Sequence, residues 1–339
     1  MIATKQKFLT TLMALKRGAA ASLFGLALAS PNALADAPKK PNGFPDRPLT
    51  MIVPFGAGGG SDQMARAIAG PLQEVMGVPI QVVNKPGGGG RAAIPDFMAA
   101  PADGYTLMQF SDDVPTLYAA GRITENPTKD WTPIGLGNIV FSQIYIHGDE
   151  TRFKDWDSFV EYAKNNKVTM ANVSHKGSME LISMQAVADA KGLTVQQISY
   201  DKPTERYAAL VGKHVDALFE QPSDVANFLE AGKMKPILTF LKERPKAFAD
   251  VKALDDIGVD FEPLLRVRGI FIRADVPQDR KDYLEAAFAE AYKSKDFQDF
   301  LKKKYMTIID SYADSAQSIK ILDDMLATYR KAYKDLGLQ

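Results

Sequence analysis

Short apolar runs alternate along the first third of the chain with stretches whose apolar residues recur every three or four positions. The runs predict buried strands and the periodic stretches predict amphipathic helices. The predicted strands are 49–53, 80–83 and 105–110. A helix is expected from Ser61 to the stop signal at Gly77. Its apolar face comprises Ala65, Ile68, Leu72 and Val75. This order of strand, loop, helix and strand implies parallel strands joined by helical crossovers.

A second series with the same alternation begins near Asp155. Its predicted strands are 168–173, 195–200, 215–219 and 237–240. Its predicted helices are 178–191, 205–211 and 225–230. An extended segment at 265–273 follows, and the rest of the chain is periodic in a way that predicts helices. The two separate series predict an α/β protein with two domains rather than one continuous sheet.

The first 35 residues have the pattern of a secretory signal peptide. Four basic residues come first, residues 18–30 are small and apolar, and Ala33-Leu34-Ala35 fits a cleavage site. The apolar stretch is too short to span a bilayer as a helix, and the alternative is a short buried helix. We expect cleavage after Ala35, which would leave an exported protein located in the periplasm.

Composition narrows the possible functions of that exported protein. Lys plus Arg is 41 and Asp plus Glu is 41, so no basic excess points to nucleic acid, and none is expected as a partner. The chain has 0 Cys and 3 His, which excludes disulfides, thiolate zinc sites and cysteine nucleophiles. The three histidines are too scattered to argue for a metal site, and we expect no metal and no cofactor.

Two glycine-rich loops, 54–60 and 87–90, follow predicted strands. Glycines allow backbone N–H groups to turn toward a ligand, and the start of a helix adds unpaired donors with a partial positive charge. Ser111 follows the third strand, and the carboxyl ends of parallel strands meet at one sheet edge, where α/β proteins bind ligands. The sequence therefore predicts an anion site. Ser61 is predicted as a helix N-cap and Asp62 as a first-turn acid, and each of these two side chains either stabilises the helix start, contacts the ligand or does both.

Nucleotide and hydrolase motifs fail in the first loop. It lacks the lysine of a Walker A sequence, and Ser61 stands where a dinucleotide fingerprint needs its third glycine. As a nucleophile, Ser61 would need the pattern G-x-S-x-G, which is broken at Gln63. A secreted α/β enzyme that acts on a small carboxylate or ester is the alternative function, but no recognisable nucleophile and base support it.

Several motifs together resemble the receptors of tripartite tricarboxylate transporters, the Bug-type solute-binding proteins. The longest is FPDRPLTMIVPFGAGGGSD at 44–62. The others lie at 83–90, 101–107, 129–134, 212–216 and 231–233. The resemblance extends over essentially the whole chain that follows the leader.

The resemblance implies a receptor without enzymatic activity and a two-domain fold similar to type II periplasmic binding proteins, closing like a Venus flytrap. Strands at about 131–146 and 265–273 would cross between the domains. One domain would comprise 36–146 with 262–339, and the other 147–261. Such a receptor captures a small organic anion in the cleft, here a dicarboxylate or an aromatic carboxylate, and delivers it to membrane subunits of the transporter. We expect a monomer.

The resemblance also implies ligand contacts from loops of both domains, and one arginine is added by hypothesis. The expected residues are Phe55, Gly56, Gly58, Gly59, Gly60, Ser61, Asp62, Gly88, Gly89, Ser111, Ser174, His175, Gly177, Ser178, Tyr200 and Arg268.

The chain departs from the family pattern at two places. Asp201 and Lys202 follow Tyr200 where the family usually has Lys-Gly. Arg266 and Arg268 precede Gly269 where the family carries an aromatic residue, and strand alternation puts both arginines on one face. We hypothesise that Arg268, or less favourably Arg266, binds a ligand carboxylate. The alternative is that the pair forms salt bridges across the hinge, which contribute little if they are exposed.

Overall fold

Two β-sheets and the helices that cover them make up the protein. The structure, a computed structural model, describes residues 38–173, 177–200 and 202–335. The strands are β1 (Leu49–Val53), β2 (Ile80–Asn84), β3 (Thr106–Ser111), β4 (Trp131–Val140), β5 (Gln143–His147), β6 (Val168–Asn172), β7 (Val195–Ser199), β8 (Ala217–Glu220), β9 (Met234–Thr239), β10 (Lys252–Ala253) and β11 (Arg266–Arg273).

Ten α-helices lie within the described residues. They are α1 (Gly60–Met76), α2 (Ile94–Ala99), α3 (Asp113–Ala119), α4 (Trp156–Asn165), α5 (Met179–Lys191), α6 (Pro203–Val211), α7 (Pro222–Glu230), α8 (Gln278–Lys293), α9 (Lys295–Lys303) and α10 (Ser315–Asp335). Short 3₁₀ helices occupy Gly88–Ala93, Lys246–Phe248 and Asp255–Ile257. The sequence pattern did not predict α3, which directly follows the third strand.

The first sheet has the strand order β2-β1-β3-β11-β4. Strand β1 pairs in parallel with both β2 and β3, as predicted, while β11 runs antiparallel to β3 and β4. Helix α1 buries the predicted residues Ala65, Ile68 and Leu72 and ends at Gly77, whose left-handed backbone (φ 71°) donates to the carbonyl of Gln73. Helices α8 and α9 contribute to the same core.

The second sheet has the order β10-β9-β5-β8-β6-β7. Strand β6 lies in parallel between β7 and β8, as the second sequence series predicted, and β5 is antiparallel to β8 and β9. The two separate sheets confirm the prediction of two strand-and-helix series rather than one continuous sheet. The domain boundaries 36–146 with 262–339, and 147–261, remain a prediction.

The segment 131–146, expected as one long crossing strand, is two strands in two different sheets. Strand β4 pairs with β11, and after Phe141 and Ser142 the chain enters the second sheet as β5. The change of partner happens where Ser142 accepts a hydrogen bond from the amide of Phe240 (2.9 Å). The other expected crossing, 265–273, is β11, whose strand pairing lies within the first sheet.

The C-terminal helix α10 ties the start of α5 to α3. The hydroxyl of Tyr333 donates to the carbonyls of Gly177 (2.8 Å) and Thr116 (3.2 Å). A side chain at Gly177 would collide with that ring, and the residue has a φ of +86°, which favours glycine. This contact fixes Gly177, two residues before α5 begins.

No helix in the described ranges combines the length and apolarity that crossing a membrane requires. The predicted signal peptide lies outside the described residues. So do Ser174 and His175, which were expected in the ligand site.

Candidate functional site

A small cavity of about 50 Å³ lies where strand ends of the two sheets face each other. The first sheet and its loops contribute Phe55, Gly59, Gly60, Ser61, Ser111, Asp113, Arg266 and Arg268. The second sheet and its loops contribute Val173, Pro203, Arg206, Glu220, Gln221 and Asp224. All of these residues lie at or after the carboxyl ends of parallel strands, except the two arginines near the start of antiparallel β11. This edge is where open α/β sheets bind ligands.

Asp62 holds the first glycine loop together from inside. Its carboxylate accepts hydrogen bonds from the amide of Gly58 (2.9 Å), from Arg66 (2.9 Å) and from Asn84 (2.9 Å). Burial alone would raise the pKa of Asp62, but these donors outweigh it and keep the pKa below its ordinary value. Because its oxygens accept these hydrogen bonds, Asp62 positions the backbone of the loop and does not line the cavity.

Ser61 is not the helix cap that the sequence predicted. The N-cap of α1 is Gly59, which has extended backbone and no capping side chain, so Ser61 is the second residue of the helix. The glycines in front of it extend the helix by one residue beyond the expected start. The side chain is thereby free of the capping role, and Ser61 lines the cavity while being 7% exposed.

We call each sheet with its helices and loops a half of the molecule. The glycines of the first loop allow two segments of the second half to approach very closely. A methyl group on Gly59 would lie 2.6 Å from the ring of Pro203. One on Gly60 would lie 2.2 Å from both carboxylate oxygens of Asp224 and 2.3 Å from Nη2 of Arg268. These distances are shorter than any tolerable contact, so glycine is required at Gly60 for this packing.

Arg268 connects the two sides of the cavity. Its Nη2 donates to Oδ2 of Asp224 at 2.6 Å and to Oε1 of Gln221 at 3.2 Å, and its Nη1 donates to Oδ1 of Asn138 at 3.1 Å. The side chains of Arg268 and Asp224 are 4% and 3% exposed. The pair is therefore a buried salt bridge between β11 of the first sheet and α7, which follows a strand of the second.

Arg266 lies among three carboxylates. Its Nη1 donates to Asp112 (3.0 Å) and to Asp113 (2.7 Å), and its Nη2 donates to Glu180 at the start of α5. Burial raises the pKa of Asp112 to about 7, although Arg266 opposes the shift, and burial also raises the pKa of Glu180. Burial would lower the pKa of Arg266, but the three carboxylates hold it well above its ordinary value. The guanidinium therefore stays charged.

Arg206 and Glu220 form a third buried pair, entirely on the second side. Glu220 accepts from Nη2 of Arg206 at 2.5 Å and from Nε at 3.1 Å. It also accepts from the hydroxyl of Tyr207 (3.2 Å) and from the amide of Gln221 (3.1 Å). Burial would lower the pKa of Arg206, but the Glu220 carboxylate keeps it above the ordinary value.

The predicted site residues divide into those that line this cavity and those that do not. The ones that line it are Phe55, Gly59, Gly60, Ser61, Ser111 and Arg268. Other described ones, outside its lining, are Gly56, Gly58, Asp62, Gly88, Gly89, Gly177, Ser178 and Tyr200. Among these, Gly56 packs against Pro203, and Ser178 caps α5 by accepting from the amide of Leu181 (3.3 Å).

Sequence reasoning missed most of the charged lining. Asp113, Glu220 and Asp224 were not singled out, nor was Arg206. The signal that places Ser111 at the ligand edge, its position after a strand, applies equally to Asp113 and to Glu220. Among the described residues, no group of His, Cys, Asp and Glu has an arrangement that would hold a metal ion.

Comparison with known proteins places the chain in a family. The profile of TctC, the tripartite tricarboxylate transporter family receptor, matches residues 64–338. A protein of Cupriavidus necator, named UPF0065 protein in gbd 5'region, is 30% identical over 246 residues, or 72% of this chain and 73% of that protein.

Solved structures share the fold. MatC (Rpa3494) from Rhodopseudomonas palustris, with bound malate, has a TM-score of 0.75 at 22% identity and covers 85% of this chain and 99% of its own. Rpa4515 from R. palustris, with adipate, has a TM-score of 0.77 at 20% identity and covers 87% and 98%. These likenesses confirm the predicted two-domain α/β fold of periplasmic binding proteins. By its profile match and its relative, the chain belongs to the tripartite tricarboxylate transporter family of receptors, and it is a solute-binding receptor rather than an enzyme.

Proposed function

We propose that this receptor captures a small carboxylate, either a dicarboxylate or an aromatic acid, in the cavity between the two sheets. The observation that carries the proposal is Arg268, a buried guanidinium in the cavity lining at the carboxyl edge of the first sheet. A guanidinium binds a carboxylate through parallel charge-assisted hydrogen bonds. MatC with malate and Rpa4515 with adipate share the fold, which supports a carboxylate of this size.

The other expected site residues are part of the same proposal. The loop at 55–62 would present backbone N–H groups at the start of α1 to the anion, since a helix N-terminus favours negative charge. Gly88, Gly89, Ser111, Tyr200 and the segment 174–178 would complete the contacts when the halves close around the ligand. The first 35 residues would direct export to the periplasm, where the receptor, acting as a monomer, would hand the carboxylate to membrane subunits of a tripartite tricarboxylate-type transporter.

The experiment is a thermal-shift screen of mono- and dicarboxylates, including aromatic acids, followed by calorimetric titration of the best ligand. Binding to the folded state alone raises its melting temperature. We expect Arg268→Ala to weaken binding by about 1.5–3 kcal/mol, roughly ten- to a hundredfold. Arg244→Ala is the matched control, because it breaks a surface Arg–Asp pair outside the cavity. A screen without any stabilising carboxylate would refute the proposal, and unchanged affinity in Arg268→Ala would remove Arg268 from it.

A further inference from the structure

The Arg268–Asp224 pair contains both charges of a ligand site, one on each side of the cavity. The guanidinium belongs to β11 and the carboxylate to the first turn of α7, and the two groups meet at 2.6 Å. A ligand carboxylate that binds Arg268 must share or replace the bond that Asp224 now makes. The partner that the Asp224 carboxylate has in the complex therefore decides which ligands bind well.

Asp224 has few alternatives to Arg268. Its Oδ1 accepts from the hydroxyl of Ser223 at 2.7 Å, and its side chain is 3% exposed. Lys304 interacts electrostatically with Asp224, but its hydrogen bond goes to Asn227 (3.2 Å). A buried carboxylate without a cationic partner is strongly unfavourable, so a ligand that only removes Arg268 from Asp224 leaves a costly group behind.

The opposite side of the pair has unused donors. Nε of Arg268 and Nδ2 of Asn138 are buried and have no hydrogen-bond partner among the described residues. Asn138 already contacts the same guanidinium through its oxygen. Because buried donors are normally satisfied, this corner suits an additional acceptor such as a carboxylate oxygen.

The charges around the cavity favour a ligand that also brings a cation. The charged residues that line the cavity are three arginines and three carboxylates, a formal sum of zero. The arginines are Arg206, Arg266 and Arg268, and the carboxylates are Asp113, Glu220 and Asp224. A simple dianion would add uncompensated negative charge to this balanced lining, whereas a protonated amine on the same ligand would offset one of its negative charges.

We propose that Arg268 and Asp224 together recognise a small amphoteric ligand, with Arg268 binding its carboxylate and Asp224 binding its protonated amine. The inference rests on the proposed function and narrows it to carboxylates that carry an ammonium group, such as amino acids. The ligand inserts between the two side chains when the halves separate, and it replaces one internal ion pair by two intermolecular ones.

The test compares ligands that differ only in the substituent on a single carbon atom. Succinate, malate and aspartate carry a hydrogen, a hydroxyl and an ammonium group at the same position, and propionate, lactate and alanine repeat the series with one carboxylate. Calorimetry on the full mature chain should show the ammonium member binding at least tenfold more tightly than the unsubstituted acid in at least one series. N-acetylaspartate, which keeps the carboxylates but loses the charge on nitrogen, should bind no better than succinate.

Asp224→Asn then isolates the carboxylate. The variant should lose about tenfold or more in affinity for the ammonium ligand while its affinity for the matched acid stays the same or increases, because Asn no longer competes as an anion for Arg268. Asp256→Asn, which changes a surface partner of Arg244, is the control and should keep the wild-type preference.

The outcomes separate the two proposals. Acids that bind as tightly as their amino counterparts, or a preference that survives in Asp224→Asn, would overturn the amphoteric site and leave the carboxylate receptor standing. Absence of binding by every member of both series and by the wider carboxylate screen would overturn both. The wild-type series decides the matter even if the variant fails to fold.

Discussion

Two buried arginine–carboxylate pairs in this cavity have almost the same geometry and very different positions. Arg206 and Glu220 meet at 2.5 Å on one side of it, and Arg268 and Asp224 meet at 2.6 Å across it. All four side chains are at most 4% exposed. The first pair connects a helix to the strand beside it in the same half, whereas the second connects the two halves.

The surroundings differ in the same sense. Glu220 receives further hydrogen bonds from Tyr207 and from the amide of Gln221, which use the remaining capacity of its oxygens. Within the described residues, the Asp224 carboxylate accepts hydrogen bonds only from the Ser223 hydroxyl and from Arg268, and Nε of Arg268 has no partner there. A fully bonded pair stabilises local structure, while a pair with unused capacity across a cleft is suited to exchange partners with a ligand.

The largest expected effect breaks the pair within one half. Arg206→Ala would leave Glu220 buried without a cation, because opening the cleft does not separate α6 from β8. We expect a loss of about 3–5 kcal/mol in the free energy of unfolding, measured by urea denaturation of the unliganded protein. Arg244→Ala, which breaks an exposed pair, should cost less than about 1 kcal/mol. An equally small loss in Arg206→Ala would show that this pair is not structural.

The next effect concerns the close approach at the start of α1. Gly60→Ala places a methyl group against the Asp224–Arg268 pair, so the halves cannot close fully. We expect ligand affinity to fall about tenfold or more, roughly 1.4 kcal/mol, by calorimetry. Gly70→Ala in the same helix is the control, since nothing lies within 4 Å of its new methyl group. It should keep affinity and gain about 0.5–1 kcal/mol of stability.

Stability should also fall as pH rises, because of the cluster around Arg266. The pKa of Asp112 is about 7 in the folded protein and 3.8 ordinarily, so the folded state binds a proton that the unfolded state has lost. The groups facing it are Asp113, Glu180, Tyr329 and Arg266.

The sign follows from this difference in bound protons. The free energy of unfolding decreases as pH rises from about 4 through about 7. The part of this loss that falls between about pH 6 and pH 8 is on the order of 1 kcal/mol. Urea denaturation at several pH values measures it, and Asp112→Asn should flatten the slope. A free energy of unfolding that rises across this interval in the wild type would contradict the assignment.

The fold was largely predictable because its signals are local. Apolar runs mark β1, β2 and β3, and the helical periodicity of α1 ends at Gly77 as expected. The split of 131–146 into two strands was not predictable, since both parts are equally apolar and extended. Only the change of pairing partner at Ser142 separates them, and pairing is a tertiary property.

The site was predictable where it is built from backbone and less so where it is built from side chains. The positions of Ser111 and the first glycine loop after predicted strands indicated that they belong to the site. The alternation of side chains along a strand predicted that Arg266 and Arg268 share one face. Their partners, Glu180 and Asp224, are far away in sequence, and nothing local distinguishes them from solvated helix acids. Burial of opposite charges depends on how the two halves meet, which single-sequence patterns do not encode.

The smallest expected effect breaks the pair across the cleft. Asp224→Ala removes the carboxylate that meets Arg268, yet the surviving guanidinium keeps Gln221 and Asn138 as acceptors. On the proposed function the halves also separate and return the charge to water, whereas Arg206 and Glu220 stay together within one half. We therefore expect the unliganded protein to lose less than about 1 kcal/mol of stability, like an exposed pair, although the pair is as buried as Arg206–Glu220. Urea denaturation beside Arg206→Ala measures the contrast directly. A loss of about 3 kcal/mol or more would mean that Arg268–Asp224 is a fixed structural bridge, and the distinction between the two pairs would then fail.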